Sequence, residues 1–305
     1  MDLRAIRDYA ASIQVERDAA FDHLTFNLAD PLPRMLTFAG TVDFLRRAVA
    51  HPDVAAVITN PAVLDEWARE PGAASRPVGV ALSPRPREDF FRFHNWLCRQ
   101  TDFYRRPDRS RRGTSCRIGK LASVDEHNVV LGDGVVIEDF VRINANSTIG
   151  DGTVVGAGTV VGSDGFQIVA LPSRELLKVD HAGGVQLGRH VEVMSNTAIA
   201  RHIFNDDTTI GDDSKIDNLV HVAHAVKMGR RCRVAANAMI GGSARLGDDV
   251  WIGPSASVSS EVVVKDGGNV TLGSVVTRTV EAGERVTGNF AVSHERFIRF
   301  IKSIR

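Results

Sequence analysis

The chain has 305 residues, in which 37 Lys and Arg residues balance 37 Asp and Glu residues. A zero net charge excludes the broad positive field of a nucleic-acid-binding protein. No apolar run reaches the roughly 18 residues that cross a membrane, and charges lie where a signal peptide would have its apolar core. We therefore expect a cytoplasmic protein without a transmembrane segment, and its three widely spaced cysteines lack the spacing of a metal site.

Residues 1–102 have a different pattern from the rest of the chain. The stretches AAVITNPAVLDEWA (55–68) and RPVGVALSPRPREDFFRFHNWLC (76–98) each combine a short apolar run with a longer segment of helical spacing. They predict a small N-terminal α/β domain. The basic and polar segment 103–116 then predicts a linker.

Residues 117–287 are dominated by a six-residue repeat, which neither a helix nor an ordinary strand would produce. Every sixth residue from 210 onward is aliphatic: Ile210, Ile216, Val222, Met228, Val234, Ile240, Leu246, Ile252, Val258, Val264, Val270 and Val276. An earlier tract from 131 to 161 keeps the same period. The repeat predicts a β-prism with eighteen residues per coil, three short faces, and one inward aliphatic side chain on each face.

Two segments interrupt this repeat, and a third follows it. Residues 163–184 depart from the period and predict a loop that leaves the prism, while residues 200–207 shift the register by one residue. Loops on a rigid scaffold often carry function. Residues 288–305 end in AVSHERFIRFIKSIR, whose spacing predicts a short amphipathic C-terminal helix.

Several motifs resemble those of the hexapeptide-repeat acyltransferases, and most closely the UDP-3-O-acylglucosamine N-acyltransferases of lipid A biosynthesis. They are LTFAG (36–40) with AAVIT (55–59), SDGFQIV (163–169), LLKVDHAGGVQLG (176–188) and IDNLVHVAHAVKMG (216–229). The resemblance implies a mainly β protein, built as a left-handed parallel β-helix with a small N-terminal α/β domain and a C-terminal helix. It also implies a homotrimer with active sites between neighbouring subunits.

The implied activity is transfer of an acyl group from a thioester to the amino group of a nucleotide-linked amino sugar, carried by UDP or dTDP. The co-substrate would be acyl-coenzyme A or an acyl carrier protein thioester, with no tightly bound cofactor and no metal. His224 matches the histidine of the family's Ala-His pair and is therefore the expected general base. A neutral imidazole with a pKa near 6.5 can accept the proton that an attacking amine must lose.

Two further residues are expected beside His224 because eighteen residues make one coil. Gly242 lies eighteen residues after it, and its backbone N–H is the candidate donor to the oxyanion of the tetrahedral intermediate. Asp206 lies eighteen residues before it and could orient the ring, the alternative being a solvated turn aspartate. His221 stands where the family usually has Gln, so a polar contact with substrate is expected there, and Asn218 belongs to the same motif.

The resemblance also places substrate contacts outside the prism. Phe38 and Phe44 match aromatic residues that hold the base of the nucleotide, with packing in the core as the alternative. Thr41 stands where the family commonly has Asn, so thymine could replace uracil. Lys178 and His181 match positions near the sugar-phosphate site, a surface lysine being the alternative.

Some family positions are changed, namely Ala200-Arg201-His202, Ser260-Glu261 and Gly165 to Ile168. These departures favour modification of an O-antigen or capsule sugar over lipid A assembly. A different class also stays open, a non-catalytic or metal-binding β-helix scaffold of the carbonic-anhydrase-like kind, in which His202 would join the His221 and His224 pair.

The C-terminal segment carries a cation at every third position, at Arg296, Arg299, Lys302 and Arg305. On a helix these side chains form one stripe. We expect Arg299 and Lys302 to dock an acidic carrier protein that delivers the acyl group, with a solvated basic face as the alternative.

Overall fold

The computed structural model describes residues 1–26, 32–70, 77–104, 106–288 and 291–304. The chain divides into two compact units. The first comprises Met1–Asp108, Asp164–Gly184 and Arg201–Asp207, and the second comprises Arg109–Ser163, Val185–Ala200 and Thr208–Arg305. Both segments that interrupt the six-residue repeat therefore belong to the first unit.

The first unit is an α/β domain. Its described strands form a sheet in the order β1-β5-β4-β3-β2, in which only β1 is antiparallel to its neighbour. The strands are β1 (Gln14–Arg17), β2 (His23–Leu24), β3 (Met35–Ala39), β4 (Val54–Thr59) and β5 (Gly79–Leu82). The helices are a 3₁₀ turn (Leu3–Ala5), α1 (Ile6–Tyr9), α2 (Val42–Ala50), α3 (Pro61–Ala68) and α4 (Pro86–Gln100).

Two of these helices begin at N-caps that the sequence encodes. The Thr41 hydroxyl accepts the Phe44 N–H at 3.3 Å, and the Asn60 side chain accepts the Val63 N–H at 2.8 Å. Pro61 follows Asn60 at the first helical position, where its missing N–H costs nothing. Helices α2 and α3 thus start directly after strands β3 and β4.

Residues 164–184 form a packed part of the first unit, although the repeat alone predicts a loop. They contain the hairpin β15 (Ile168–Ala170) and β16 (Leu176–Lys178), and Val169, Leu177 and Val179 are buried in the cluster that includes Phe90 of α4. The sequence does not reveal this packing because the two partners are some eighty residues apart.

Polar contacts from α4 hold the same segment. Asn95 donates to the Lys178 carbonyl at 2.8 Å and accepts the Asp180 N–H at 2.9 Å. Arg99 donates to both carboxylate oxygens of Asp180, at 2.6 and 2.8 Å. A two-pronged Arg–carboxylate pair restricts orientation as well as distance.

The second interruption is joined to the first. The Ala182 N–H donates to the Ile203 carbonyl at 2.8 Å, and the Gly183 N–H donates to the His202 carbonyl at 3.0 Å. Ile203 and Phe204 are buried in the core of the first unit. The register shift at 200–207 is therefore the point at which the chain leaves the prism a second time.

The second unit is a prism of three parallel sheets within the described residues. Sheet A contains β6 (Arg111–Arg112), β9 (Val129–Leu131), β12 (Ser147–Ile149), β17 (Gly184–Leu187), β20 (Asp207–Ile210), β23 (Lys227–Met228), β26 (Arg245–Leu246) and β29 (Val263–Val264). Sheet B contains β7 (Arg117–Ile118), β10 (Val136–Ile137), β13 (Val154–Val155), β18 (Glu192–Val193), β21 (Lys215–Ile216), β24 (Arg233–Val234), β27 (Trp251–Ile252), β30 (Asn269–Val270) and β32 (Arg285–Val286). Sheet C contains β8 (Ser123–Val124), β11 (Arg142–Ile143), β14 (Val160–Ser163), β19 (Ala198–Ala200), β22 (His221–Val222), β25 (Met239–Ile240), β28 (Ser257–Val258) and β31 (Val275–Val276).

The register confirms the eighteen-residue coil. Ile210 pairs with Met228 and Met228 pairs with Leu246, each on the next coil of sheet A. The aliphatic residues of the repeat are buried in one continuous core. Because coils rise by one strand spacing, about 4.8 Å, residues eighteen apart are stacked neighbours.

The ends of the prism differ in detail from the prediction. Strand β6 lies within the segment expected to be a linker, and Arg112 pairs with Leu131 of the next coil. The repeat does not extend to it because arginine, exposed at the end of the prism, replaces the aliphatic residue. The predicted C-terminal helix is present as α5 (His294–Ser303). No helix in the described part of the chain is both long and apolar enough to span a bilayer.

Candidate active site

His224 lies at the corner where the chain passes from sheet C to sheet A, here named the C–A corner. It follows strand β22 by two residues, and its side chain is half-buried. The preceding residue, Ala223, donates its N–H to the Ile240 carbonyl at 3.0 Å. The His224 carbonyl accepts the Ser243 N–H at 2.9 Å. Both bonds join the coil of His224 to the next coil and restrain the backbone from which the imidazole projects.

Gly242 occupies the stacked position on that next coil. A Cβ placed on it would lie 2.6 Å from Cε1 and 2.9 Å from Nε2 of His224, closer than real Cβ contacts allow. The ring therefore lies against the Gly242 backbone, and only glycine leaves room for it. The Gly242 carbonyl accepts the Glu261 N–H at 2.9 Å, while the described residues offer no acceptor to the Gly242 N–H. That N–H is available to an incoming oxyanion.

His221 and Asn218 are brought to the same coil but not to the same corner. His221 is an exposed residue of β22 on the outer side of sheet C, and desolvation lowers the pKa of its imidazole below 6.5. Asn218 lies at the preceding corner, where its side chain accepts the Ser195 N–H at 3.1 Å and donates to Asp217 at 2.8 Å. Within one chain, Asn218 thus supports the corner before the face that carries His221.

Asp206 lies in the first unit, at the end of the segment that begins at Arg201. One carboxylate oxygen accepts the Asp207 N–H at 2.7 Å, and the other lies 3.8 Å from Nε2 of His202. These local contacts fix the carboxylate against its own turn. Its role in orienting His224 stays a prediction.

The aromatic residues expected to hold a base pack into separate clusters. The Phe38 ring lies 5.1 Å from that of Phe90 and 6.0 Å from that of Phe91, measured between centroids. Phe44 packs in a different cluster, and the Arg47 guanidinium lies 4.4 Å from its ring centre. Both rings are half-buried. Thr41 is exposed, and its hydroxyl caps helix α2.

Lys178 and His181 flank the turn at Asp164 and Gly165. The Lys178 ammonium lies 3.2 Å from one Asp164 oxygen, and Arg201 Nε lies 3.4 Å from the other. His181 is buried, accepts the Gly165 N–H at Nε2 at 3.2 Å, and has its pKa lowered by desolvation. Asp164 and Arg201 were not expected here, although both stand in quoted family motifs. Two cations around one carboxylate leave this cluster with a net positive charge.

Helix α5 exposes both basic and apolar side chains to solvent. Arg299 and Lys302 are exposed, and so are the apolar side chains of Phe297 and Phe300, at 49% and 59%. Arg305, the last member of the predicted basic stripe, lies outside the described residues. In the described chain, no group of three or more His, Cys, Asp or Glu side chains has the arrangement of a metal site.

Comparison with known proteins identifies the repeat. A family model described as "Bacterial transferase hexapeptide (six repeats)" matches residues 128–163 and 207–242. These two ranges of the prism are therefore similar to bacterial transferase hexapeptide repeats. The second matched range contains both His224 and Gly242.

The curated relatives have one recurring name. The chain is 39% identical over 117 residues to the UDP-3-O-acylglucosamine N-acyltransferase of Caulobacter sp. (strain K31), covering 38% of this chain and 34% of the relative. It is 41% identical over 136 residues to the enzyme of that name from Rhizobium meliloti (strain 1021), covering 45% and 38%. The similar segment thus spans about a third of the length of the relatives. The predicted resemblance to this family is confirmed for that segment.

Solved structures agree at the level of the fold. UDP-N-acetylglucosamine acyltransferase from Campylobacter jejuni matches with a TM-score of 0.51 and 20% identity, over 64% of this chain and 79% of that one. The Francisella novicida UDP-N-acetylglucosamine acyltransferase matches with a TM-score of 0.52 and 17% identity, over 63% and 70%. Together with the repeats, these matches confirm the predicted left-handed parallel β-helix.

Proposed function

We propose that this protein is an N-acyltransferase that moves an acyl group from a thioester donor to the amino group of a nucleotide-linked amino sugar. The observation that carries the proposal is the position of the His224 imidazole against Gly242, whose N–H has no acceptor among the described residues. A proton acceptor and an oxyanion donor then lie on successive coils. The relatives named UDP-3-O-acylglucosamine N-acyltransferase support the same chemistry.

In this mechanism the sugar amine attacks the thioester carbonyl while neutral His224 takes the proton that the nitrogen loses. The carbonyl oxygen becomes an oxyanion and accepts a hydrogen bond from the Gly242 N–H. When the tetrahedral intermediate collapses, the carbon–sulfur bond breaks and the carbonyl re-forms. The imidazolium returns its proton to the leaving thiolate, so the base is regenerated and the products are an amide and a thiol.

The decisive test compares His224→Ala with His190→Ala. His190 is also packed against a glycine at a prism corner, since a Cβ on Gly152 would lie 2.6 Å from its Nδ1. We expect His224→Ala to lower kcat by about 10²–10⁴, with KM and nucleotide affinity nearly unchanged, because only proton removal is lost. His190→Ala should keep wild-type turnover. A His224→Ala enzyme with more than half of the wild-type kcat would remove His224 from the role of base.

The acceptor is proposed by class, and two groups compete within it. UDP-3-O-acylglucosamine is the first compound to assay, because it gives the relatives their name. UDP- and dTDP-linked amino sugars of surface polysaccharides are the alternative that the altered family positions favour. A thermal-shift panel separates them, since a ligand at 100 times its dissociation constant stabilises the folded protein by about 2.7 kcal/mol.

The proposal includes a homotrimer, with coenzyme A or an acyl carrier protein as the carrier of the acyl group. In the described chain, no other coil covers the outward faces of the three sheets. Symmetric association of identical chains is the usual way in which such faces are covered. Light scattering during turnover checks this part. An active monomer would overturn the homotrimer and leave the chemistry of His224 intact.

A further inference from the structure

The residue after His224 has the left-handed backbone conformation that recurs at the corners of the prism, as at Leu219 and Arg231. Ala225 has φ 62°, in the left-handed region that residues with a Cβ enter at a cost. It is almost fully buried, at 5% exposure, so its backbone N–H is cut off from water. A buried N–H needs an acceptor, so the position of this corner depends on what binds it.

The acceptor is a side chain on the preceding coil. The Oγ1 atom of Thr208, a fully buried residue of strand β20, accepts the Ala225 N–H at 2.9 Å. The same peptide unit has its other end fixed, because the His224 carbonyl accepts the Ser243 N–H at 2.9 Å. The peptide plane that joins His224 to Ala225 is thus clamped between the coil before it and the coil after it.

From this clamp we propose that Thr208 is a positioning residue for His224. The inference rests on the proposed function, in which His224 is the base. With the peptide plane fixed, the Cα–Cβ bond of His224 directs the imidazole onto Gly242. Without the threonine oxygen the buried Ala225 N–H has no partner, so the corner turns to find one and carries the ring away. A displacement of about 1 Å is enough to cost 10²-fold in rate.

The prism contains a related bond at a corner that has no proposed role, in which a buried threonine accepts the N–H of the residue stacked directly on it. Thr153 is also fully buried, and its Oγ1 accepts the Val191 N–H at 3.1 Å on the next coil, at the corner between sheets A and B. Replacing either threonine with valine removes the acceptor of one backbone N–H and keeps nearly the same shape. At Thr153 it also removes the hydroxyl that donates to the Gly188 carbonyl at 2.8 Å. Thr153→Val therefore controls for the loss of a buried threonine hydroxyl, with a stability cost at least as large as that of Thr208→Val, and Thr208→Ser restores the hydroxyl at the tested site.

The experiment uses the full-length protein with UDP-3-O-acylglucosamine and a thioester donor as probes. We expect Thr208→Val to lower kcat by about 10–10²-fold with KM within twofold, and Thr208→Ser to recover most of the rate. Thr153→Val should have wild-type kcat and a melting temperature no higher than that of Thr208→Val. Hydrogen–deuterium exchange, which needs no substrate, should speed up at residues 223–226 in Thr208→Val and near residue 191 in Thr153→Val.

The outcomes separate this inference from the proposed function. Wild-type kcat in Thr208→Val, or an equal loss of kcat in Thr153→Val, overturns the positioning role even if His224→Ala is inactive. Full activity in His224→Ala overturns the proposed function on its own, and the exchange data still show whether the clamp exists. If Thr208→Val does not fold, Thr208→Ala replaces it in the same comparison with Thr153→Ala.

Discussion

The imidazole ring of His224 and the backbone of Gly242 are in direct contact across two coils of the prism. A Cβ at position 242 would approach Cε1 of the ring to 2.6 Å. The contact follows from the eighteen-residue coil, because residues eighteen apart are stacked at one strand spacing. A single short repeat thereby places a titratable side chain beside an N–H that has no acceptor among the described residues, without any loop to position them.

This contact predicts the effect of Gly242→Ala. The left-handed residue of this corner is Ser243, not Gly242, so alanine fits the backbone, and the three atoms nearest to the new methyl all belong to the His224 ring. We expect kcat to fall about 10²-fold or more, because the base is displaced and the N–H is covered together. Steady-state kinetics and a melting curve measure the two effects. In a His224→Ala background the same substitution should cost less than in the wild type, because only the covering of the N–H remains. Full additivity would contradict displacement of the ring.

Substitutions of Phe38 and Phe44 are expected to differ in their effects on nucleotide binding and on stability. Phe44→Ala should weaken nucleotide binding by about 1–3 kcal/mol if its ring stacks on the base, with kcat little changed. Phe38→Ala should weaken binding and also lower stability, because its ring packs on Phe90 and Phe91.

Phe38→Leu is the control for that pair, since it keeps apolar volume in the cluster and removes the aromatic face. Calorimetric titration with UDP and dTDP provides the measurement. If every variant folds and binds with unchanged affinity, both rings serve the core alone.

The sequence predicted those features of the fold that depend on local spacing. The Ile210, Met228 and Leu246 column could be recognised because one residue in six is enough to define a coil. The packing of α4 against residues 164–184 could not be recognised in this way. Asn95 of α4 bonds to the backbone of residues 178 and 180, which lie far along the chain. Backbone carbonyls and N–H groups are present in every residue and leave no pattern.

The residues of the candidate site divide in the same way, into those that the repeat reveals and those that only tertiary packing brings together. His224 and Gly242 were predicted together because both lie on the repeat. Asp164 and Arg201 come together because the two segments that interrupt the repeat, 164–184 and 201–207, pack against each other. Thr208 acts through one buried oxygen. Threonine also occurs at inward corners elsewhere in the prism, so its type alone does not mark the one beneath His224.

His94 predicts how the stability of the first unit depends on pH. It is fully buried in α4, and its Nδ1 lies 2.5 Å from the Tyr104 hydroxyl while its Nε2 lies 2.8 Å from the Asp180 carbonyl. Nε2 therefore donates and Nδ1 accepts in the neutral ring. Desolvation lowers the pKa of His94 from 6.5 to about 4, whereas the unfolded chain titrates near 6.5.

Between those two values the unfolded state binds more protons, so the free energy of unfolding falls as pH is lowered from 6.5 towards 4. The full loss is about 3 kcal/mol, and all of the stabilisation is present above pH 6.5. Urea denaturation at several pH values measures it. His94→Gln should flatten the slope in this range, and a variant with the wild-type slope would show that other groups control it.

The basic stripe of α5 leads to the last prediction, which concerns the acyl donor. Arg299 and Lys302 are exposed, and such charges mainly affect association rate and its dependence on salt. Arg299→Glu with Lys302→Glu should raise KM for an acyl carrier protein donor and weaken its salt dependence, while KM for acyl-coenzyme A stays nearly constant. Arg285→Glu with Arg117→Glu, two reversals at exposed residues of sheet B, gives the same change in net charge and should change neither KM. Efficient use of acyl-coenzyme A, with no saturable rate from the carrier-bound substrate, would show that the stripe is only a solvated face of the helix.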